Sequence, residues 1–296
     1  MFKYNREFIP DEFGLANNGS LCYFNSIMQS LISCSSFNNV VLKNYPYMQQ
    51  TATGTAMYEF VASALSANPP MNTGNIFRAL IHDVRQRRPK TNFLNGQQSA
   101  SECFILLLEM MEPQSGGAIE LPLGVARVSV EGASAVGLHP ISDLFLHGYS
   151  FDRLCHGCKT TRSVNEYNFQ FNMFEFGQDS SEMDFSRMMC TNIEQVDDFR
   201  DCDVCGPNLS NQATLERTLM IIPDIVVCTF NIYAAYGTGM RVSRSIPKEL
   251  AFRAADGGHL RFRQVAQIEH SGSISGGHYW ARALRKNNEE YMLNDY

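Results

Sequence analysis

No uninterrupted apolar run in the sequence is long enough to cross a bilayer, which excludes a transmembrane helix of ordinary length. The first thirteen residues interleave Lys3, Arg6, Glu7, Asp11 and Glu12 with no apolar core, which argues against a secretory leader. There are no internal repeats and no long low-complexity tract, so solenoids and largely disordered chains are excluded. Positive charge is not in excess: 24 Lys and Arg stand against 30 Asp and Glu, a formal net charge of -6. That balance disfavours non-specific binding to nucleic acid or anionic membrane and suits a substrate with a cationic segment. The only basic run, Arg85 to Lys90, reads as a solvated helix end stopped by Pro89. A dispersed disulfide framework is also missing, because nine cysteines is an odd number and four of them fall into two close pairs. Together these absences lead us to expect an intracellular, soluble protein, cytoplasmic or nuclear, with no nucleic-acid or membrane partner.

What is present is a chain of 296 residues, 44% hydrophobic, enough to bury a sizeable core in one large domain or two intimate ones. Apolar residues recur at helical spacing from 22 to about 37 and from about 56 to 87, and a third helix is expected over 99–111. Residues 112–138 read as a connector with one short alternating run, VARVSV. Beyond it the pattern turns to strands in YNFQFNMFEF, TLMIIPDIVVCTFNIY, LRFRQVAQIEH and HYWARALR, with a polar stretch at 179–201 between them.

Three constellations carry chemistry. The stretch GLANNGSLCYFNSIMQSL places Cys22 at the start of a helix, directly after a turn of Asn17, Asn18, Gly19 and Ser20. A thiol there meets the positive end of the helix dipole and its free N–H groups, which suits a nucleophile, although Cys22 without further context fits a small buried hydrophobe better. Cys155-His-Gly-Cys158 and Cys202-Asp-Val-Cys205 each point two thiolates at one centre, and Gly157 and Gly206 allow the tight backbone of a zinc knuckle. A redox disulfide or coincidence is the alternative, and His156 is either a further ligand or a solvated tip residue. His278 follows the glycine-rich SGSISGG and opens a strand; YMLNDY returns sixteen residues later with Asn294 and Asp295. Such a hairpin would let an amide or carboxylate hold Nδ1–H and leave Nε2 facing a thiol. Asn294 and Asp295 equally fit turn residues, as Asn17 does in its Asn-Asn-Gly turn.

In order along the chain, GLANNGSLCYFNSIMQSL resembles the cysteine box of the ubiquitin-specific proteases, GQQSASECFILLLEMM their Gln-Gln-Asp box, and GGHYWARALR with YMLND their histidine box. The two cysteine pairs fall between the last two, as that family's zinc ribbon does. Further matches are ISDLFLHGYS, IPDIVVCTF and QIEHSGSISGGHY, so that the resemblance spans about residues 14 to 295.

The resemblance implies an α+β, papain-like fold in a single catalytic domain over 1–296, a compact piece of a longer protein. A helical thumb would occupy 14–112, zinc-ribbon fingers 145–222, and a β-rich palm 113–144 and 223–296, with a cleft gated by the loop from Ser271 to Gly277. It implies Cys22 as nucleophile, His278 as general base, Asn294 orienting the imidazole with Asp295 as auxiliary, and Asn17 as the oxyanion donor. Gln98, Ser99, Glu102, Gly276, Gly277 and Tyr279 would line the substrate groove. Structural Zn2+ would sit on Cys155, Cys158, Cys202 and Cys205. Ubiquitin, or another ubiquitin-like modifier, and its conjugates would be the partners. Ser99 and Glu102 also form a Ser-x-x-Glu capping box in their own right. Ser99 stands where aspartate is usual, Asn18 and Leu21 replace leucine and threonine, and Asn-Ile-Tyr at 231–233 stands where Lys-Arg-Phe often occurs; these departures touch substrate affinity more than the reacting groups. A peptidase for a different modifier and an inactive ubiquitin-binding module are the rival readings.

Overall fold

A computed structural model describes residues 15–16, 21–66, 71–91, 99–113, 140–173, 192–199, 202–206, 211–230, 248–253, 259–273, 276–285 and 289–294. The first third is helical, with α1 (Cys22–Ile32), α2 (Ser35–Lys43), α3 (Tyr45–Met48), α4 (Ala52–Leu65), α5 (Gly74–Arg87) and α6 (Ala100–Met111). The periodicity reads 22–37 and 56–87 as two continuous segments, and both are broken. In the first, side chains take the carbonyls at the end of α1: Ser33 Oγ donates to Gln29 O at 2.7 Å and Asn38 Nδ2 to Ile32 O at 2.7 Å. Cys34 then turns extended, at φ -95° and ψ 104°, and starts α2. In the second, Pro69 and Pro70 supply no N–H, and β2 (Met71–Asn72) pairs in parallel with β1 (Leu15–Ala16) before α5 begins.

Two polar contacts tie these helices together. Asp83 of α5 is buried and accepts from Thr53 N (2.8 Å) and Thr53 Oγ1 (2.7 Å) in the first turn of α4. Arg87 Nη1 donates to Glu109 O (2.9 Å) and Glu112 O (2.6 Å), closing the C-terminus of α6. Arg87 is therefore not part of a solvated helix end as the basic run suggests, and Arg88 pairs with Glu109. The core lies among these helices: Tyr23, Phe24, Ile27 and Met28 of α1 pack with Leu80 and Val84 of α5 and with Cys103 and Leu107 of α6. Each large apolar side chain so buried contributes about 1.5–3 kcal/mol.

After α7 (Ser142–Phe145) the chain is β-rich, giving the α+β organisation expected. An antiparallel sheet has the order β4-β3-β7-β6, with β3 (His147–Cys155), β4 (Thr161–Asn168), β6 (Asn192–Phe199) and β7 (Asn211–Ile221). At its base β5 (Phe171–Met173) runs parallel to β8 (Cys228–Phe230). β9 (Glu249–Arg253) and β10 (His259–Arg263) form a hairpin. β11 (Ala266–Ser273), β12 (Gly276–Leu284) and β13 (Glu290–Leu293) form an antiparallel sheet, and α1 packs on β11 and β12. The VARVSV run lies outside the described residues.

His147, first residue of β3, is buried with its ring stacked on Phe171 at 3.7 Å, and its Nδ1 has no hydrogen-bond partner among the described residues. Burial pushes its pKa down from 6.5 to about 4. Between those values the unfolded chain binds the proton and the folded chain does not, so His147 costs stability as pH falls through this window. His147→Phe keeps a stacked ring and removes the titration. Its thermal midpoint should gain on the parent as pH falls from 6.5 towards 4, and parallel profiles for the two proteins would contradict the assignment.

Candidate active site

Cys22 is the first residue of α1 and is buried, at 5% exposure. The N-cap residue Leu21 makes no side-chain cap bond, so the first-turn N–H groups are not taken up by their own cap. Ser26 Oγ donates to Cys22 O at 2.8 Å. One turn into the helix, the fully buried Asn25 accepts from Thr73 Oγ1 at 2.5 Å and donates through Nδ2 to Ala16 O at 3.3 Å. The backbone at Ala16 is also held by pairing opposite Asn72. Both ends of the segment from Ala16 to Cys22 are thus anchored through one side chain. Asn17 lies in that segment, outside the described residues. The Asn25–Thr73 contact is one that the sequence reading misses; a buried amide needs partners, but nothing in a single sequence says which.

His278 lies on β12 opposite Ser271 of β11, and β12 pairs with β13 as the expected hairpin, bringing Asn294 back beside the imidazole. The contact is His278 Nε2 to Asn294 Oδ1, 2.6 Å. This reverses the expected ring orientation, in which Nδ1 was to be held. Because Oδ1 can only accept, Nε2 carries the proton, and Nδ1 keeps the lone pair available to a thiol. Asp295 lies outside the described residues. Two residues along the same face of β12, the ring of Trp280 lies near-parallel to that of His278, centroids 6.3 Å apart and planes 24° from one another.

The expected gating loop from Ser271 to Gly277 is instead the tip of a hairpin, with Ser271↔His278, Gly272↔Gly277 and Ser273↔Gly276 in register. Gly272 has φ +127°, and a Cβ at Gly277 would strike Ser271 O and the His270 ring. Gly272 and Gly277 therefore serve close strand approach within the hairpin, which Gly276 closes opposite Ser273. Tyr279 points to the opposite face from His278, where its ring meets His270 at 4.4 Å and packs against the main core. On α6, Ser99 is the N-cap by backbone, with φ -69° and ψ 129°, but its side chain makes no cap bond, so the expected capping box does not form. Ser99 and Glu102 are both exposed at this helix end; Gln98 lies outside the described residues.

At the far end of the four-stranded sheet the sulfurs of Cys155, Cys158, Cys202 and Cys205 all lie within 4.8 Å of one another and can hold a metal ion. Cys155 and Cys205 are 3.8 Å apart and Cys158 and Cys202 3.5 Å. Four sulfurs about 2.3 Å from a common tetrahedral centre have edges of about 3.8 Å, so the residues fit. Hydrogen bonds from Thr160 pull the Cys158 thiol down to about 6, while burial and the neighbouring cysteines push Cys205 up to about 12, so without a metal the four thiols do not ionise alike. The two knuckles share a turn: Lys159 N donates to Cys155 O at 2.9 Å, and Gly206 N to Cys202 O at 2.8 Å. The left-handed residues are Lys159 (φ 59°) and Gly206 (φ 77°), so the role expected of Gly157 falls to Lys159. His156 is neither ligand nor solvated tip, because its Nε2 meets Thr214 Oγ1 at 2.9 Å.

Comparison with known proteins agrees with this geometry. The ubiquitin carboxyl-terminal hydrolase family model matches residues 13–296. The chain belongs to that family, a class of cysteine-type deubiquitinating hydrolases, and its fold is the family's papain-like one. No curated protein matches the sequence. Similar solved structures include the SAGA Ubp8/Sgf11/Sus1/Sgf73 module bound to ubiquitin aldehyde, at 18% identity and TM-score 0.68, covering 100% of this chain and 67% of that one. The yeast SAGA module with an Sgf73 mutant matches at 15% and 0.67, covering 100% and 65%. The module bound to monoubiquitin matches at 16% and 0.68, covering 100% and 65%. The chain thus spans about two thirds of the length of these neighbours.

The ring orientation is directly measurable. In 15N NMR of histidine-labelled protein, neutral His278 should be the Nε2–H tautomer, and Asn294→Ala should remove that preference. A dominant Nδ1–H form in the parent would refute the orientation.

Proposed function

We propose that this protein is a thiol deubiquitinase that hydrolyses the isopeptide bond between the C-terminal glycine of ubiquitin and a substrate lysine. The observation that carries the reading is a helix with a cysteine at its head packed on the strand whose histidine is bonded to Asn294. His278 Nδ1 takes the Cys22 proton, and the sulfur attacks the carbonyl carbon. The resulting oxyanion is received by N–H donors at the start of α1, with the Asn17 carboxamide as a further donor. The imidazolium returns its proton to the leaving lysine amine, giving a thioester on Cys22. Water, activated by the same imidazole, then releases the ubiquitin carboxylate and restores the thiol. Asn294 holds the ring throughout, and Asp295 is its auxiliary.

In this reading residues 14–112 are the thumb, 145–222 the fingers, and 113–144 with 223–296 the palm of one catalytic domain. Gln98, Ser99 and Glu102, with Gly276 and Gly277 of the β11–β12 hairpin, border the path of the ubiquitin tail, and Tyr279 supports that border from the core-facing side of the hairpin. The basic residues of that tail are favoured by the net charge of -6. The metal at Cys155, Cys158, Cys202 and Cys205 is zinc, and it supplies a structural cross-link between the two knuckles. The setting is intracellular, cytoplasmic or nuclear; among the described residues no helix is long and apolar enough to cross a membrane.

A ubiquitin probe with a C-terminal electrophile should label the protein once, and Cys22→Ala should abolish labelling while ubiquitin binding persists. Labelling retained in that variant would remove Cys22 from the mechanism, and capture only by a probe built on another modifier would move the substrate. One zinc per chain should be found by elemental analysis, and chelation should lower the thermal midpoint while the Cys22 thiol still reacts with a small alkylating agent. Native protein without metal would end the zinc assignment.

A further inference from the structure

Arg285 follows the last residue of β12 and is 2% exposed, a rare place for a guanidinium. Its backbone N–H donates to Glu289 O at 3.1 Å, closing the turn of the β12–β13 hairpin that carries His278 and Asn294. Its side chain crosses to the other half of the site: Nη1 donates to Ser33 Oγ at 2.7 Å and Nη2 to Gln29 Oε1 at 2.6 Å, both at the far end of α1. Gln29 lies seven residues beyond Cys22 and Ser33 eleven, so each falls within about 20° of the cysteine's own helical face, about 10 and 16 Å along the axis. Arg285 itself lies seven residues beyond His278, about 23 Å along the strand. Helix and strand therefore run side by side with the reacting groups at one end and the guanidinium fork at the other.

We propose that Arg285 is a positioning residue for the deubiquitinase chemistry inferred above, latching α1 to β12 so that the rotation and slide of the helix present Cys22 to His278. A planar fork bonded to two acceptors on one helical face fixes both degrees of freedom, whereas a lysine ammonium fixes neither. Arg285 touches no reacting atom. Its effect passes through the separation of thiol and imidazole, where a displacement of about 1 Å costs as much as a hundredfold in rate.

The test is a double-mutant cycle in the full chain, with ubiquitin coupled through its C-terminal glycine to a fluorogenic amine as substrate. Arg285→Lys should lower kcat by about ten- to a hundredfold with KM within about twofold, and Arg285→Met at least as much. In a His278→Ala background the same substitutions should change the remaining rate by less than about twofold, because the geometry they disturb no longer matters. Circular dichroism, and ubiquitin affinity measured in the Cys22→Ala background, should match the parent. Should the Arg285 variants not fold, Ser33→Ala, which deletes one acceptor and leaves Gln29, carries the same cycle. Equal losses in both backgrounds, or an unchanged kcat, would overturn the latch. Cys22→Ala in the same assay checks the parent reading separately: turnover surviving there sinks the deubiquitinase mechanism and the latch with it, whereas its loss beside equal Arg285 effects sinks the latch alone.

Discussion

The site depends on one helix lying across one strand. α1 brings a buried thiol and β12 an imidazole, and neither element alone places its group against anything reactive. The contact between them is secured on the helix side by the core, where Tyr23, Phe24, Ile27 and Met28 pack with α5 and α6. On the strand side it is secured by sheet pairing to β11 and β13. Directional bonds fix the helix at both ends: Asn25 to Thr73 and Ala16 near the cysteine, and Arg285, next to β12, to Gln29 and Ser33 at the far end. Dispersion and burial supply most of the free energy, but they tolerate sliding, and directional bonds do not. That division of labour explains why buried polar groups line the same helix that carries Cys22.

Much of this was readable beforehand because it rests on local pattern. Cys22 at a helix head follows from a polar turn before an apolar 3.6-residue period, and the His278 hairpin follows from two alternating runs separated by Lys-Asn-Asn-Glu-Glu. The paired Cys-x-x-Cys turns needed only spacing. What was misread required knowledge of partners distant in sequence. The break after Ile32 depends on side chains of Ser33 and Asn38 reaching back to carbonyls, and the docking of Arg87 depends on the C-terminus of α6. β6 escaped notice because Glu194, Asp197 and Asp198 interrupt its apolar pattern; it is an edge strand, where charge is favoured because it discourages further pairing. The Ser271–Gly277 segment read as a loop because its glycines are so frequent, yet those glycines permit strand pairing at close quarters with the His270 ring.

The metal knuckles follow a separate logic. Among the described residues, their small cluster packs Val196, Ala213 and Leu215 around the cysteines, too little apolar surface to hold the end of a four-stranded sheet. A metal joining the turn after β3 to the turn before β7 closes a long loop, which is where a cross-link stabilises most. α1, which carries Cys22, is instead held by the helical core.

The central claim is that Cys22 Sγ reacts beside His278 Nδ1 while Nε2 stays on Asn294. A crystal structure of the protein treated with ubiquitin aldehyde measures all three at once. The account predicts a hemithioacetal on Cys22, with His278 Nδ1 in hydrogen-bond reach of the sulfur or the new oxygen and Nε2 still bonded to Asn294 Oδ1. An adduct on any other residue, or an imidazole turned so that Nε2 faces the sulfur, would contradict it.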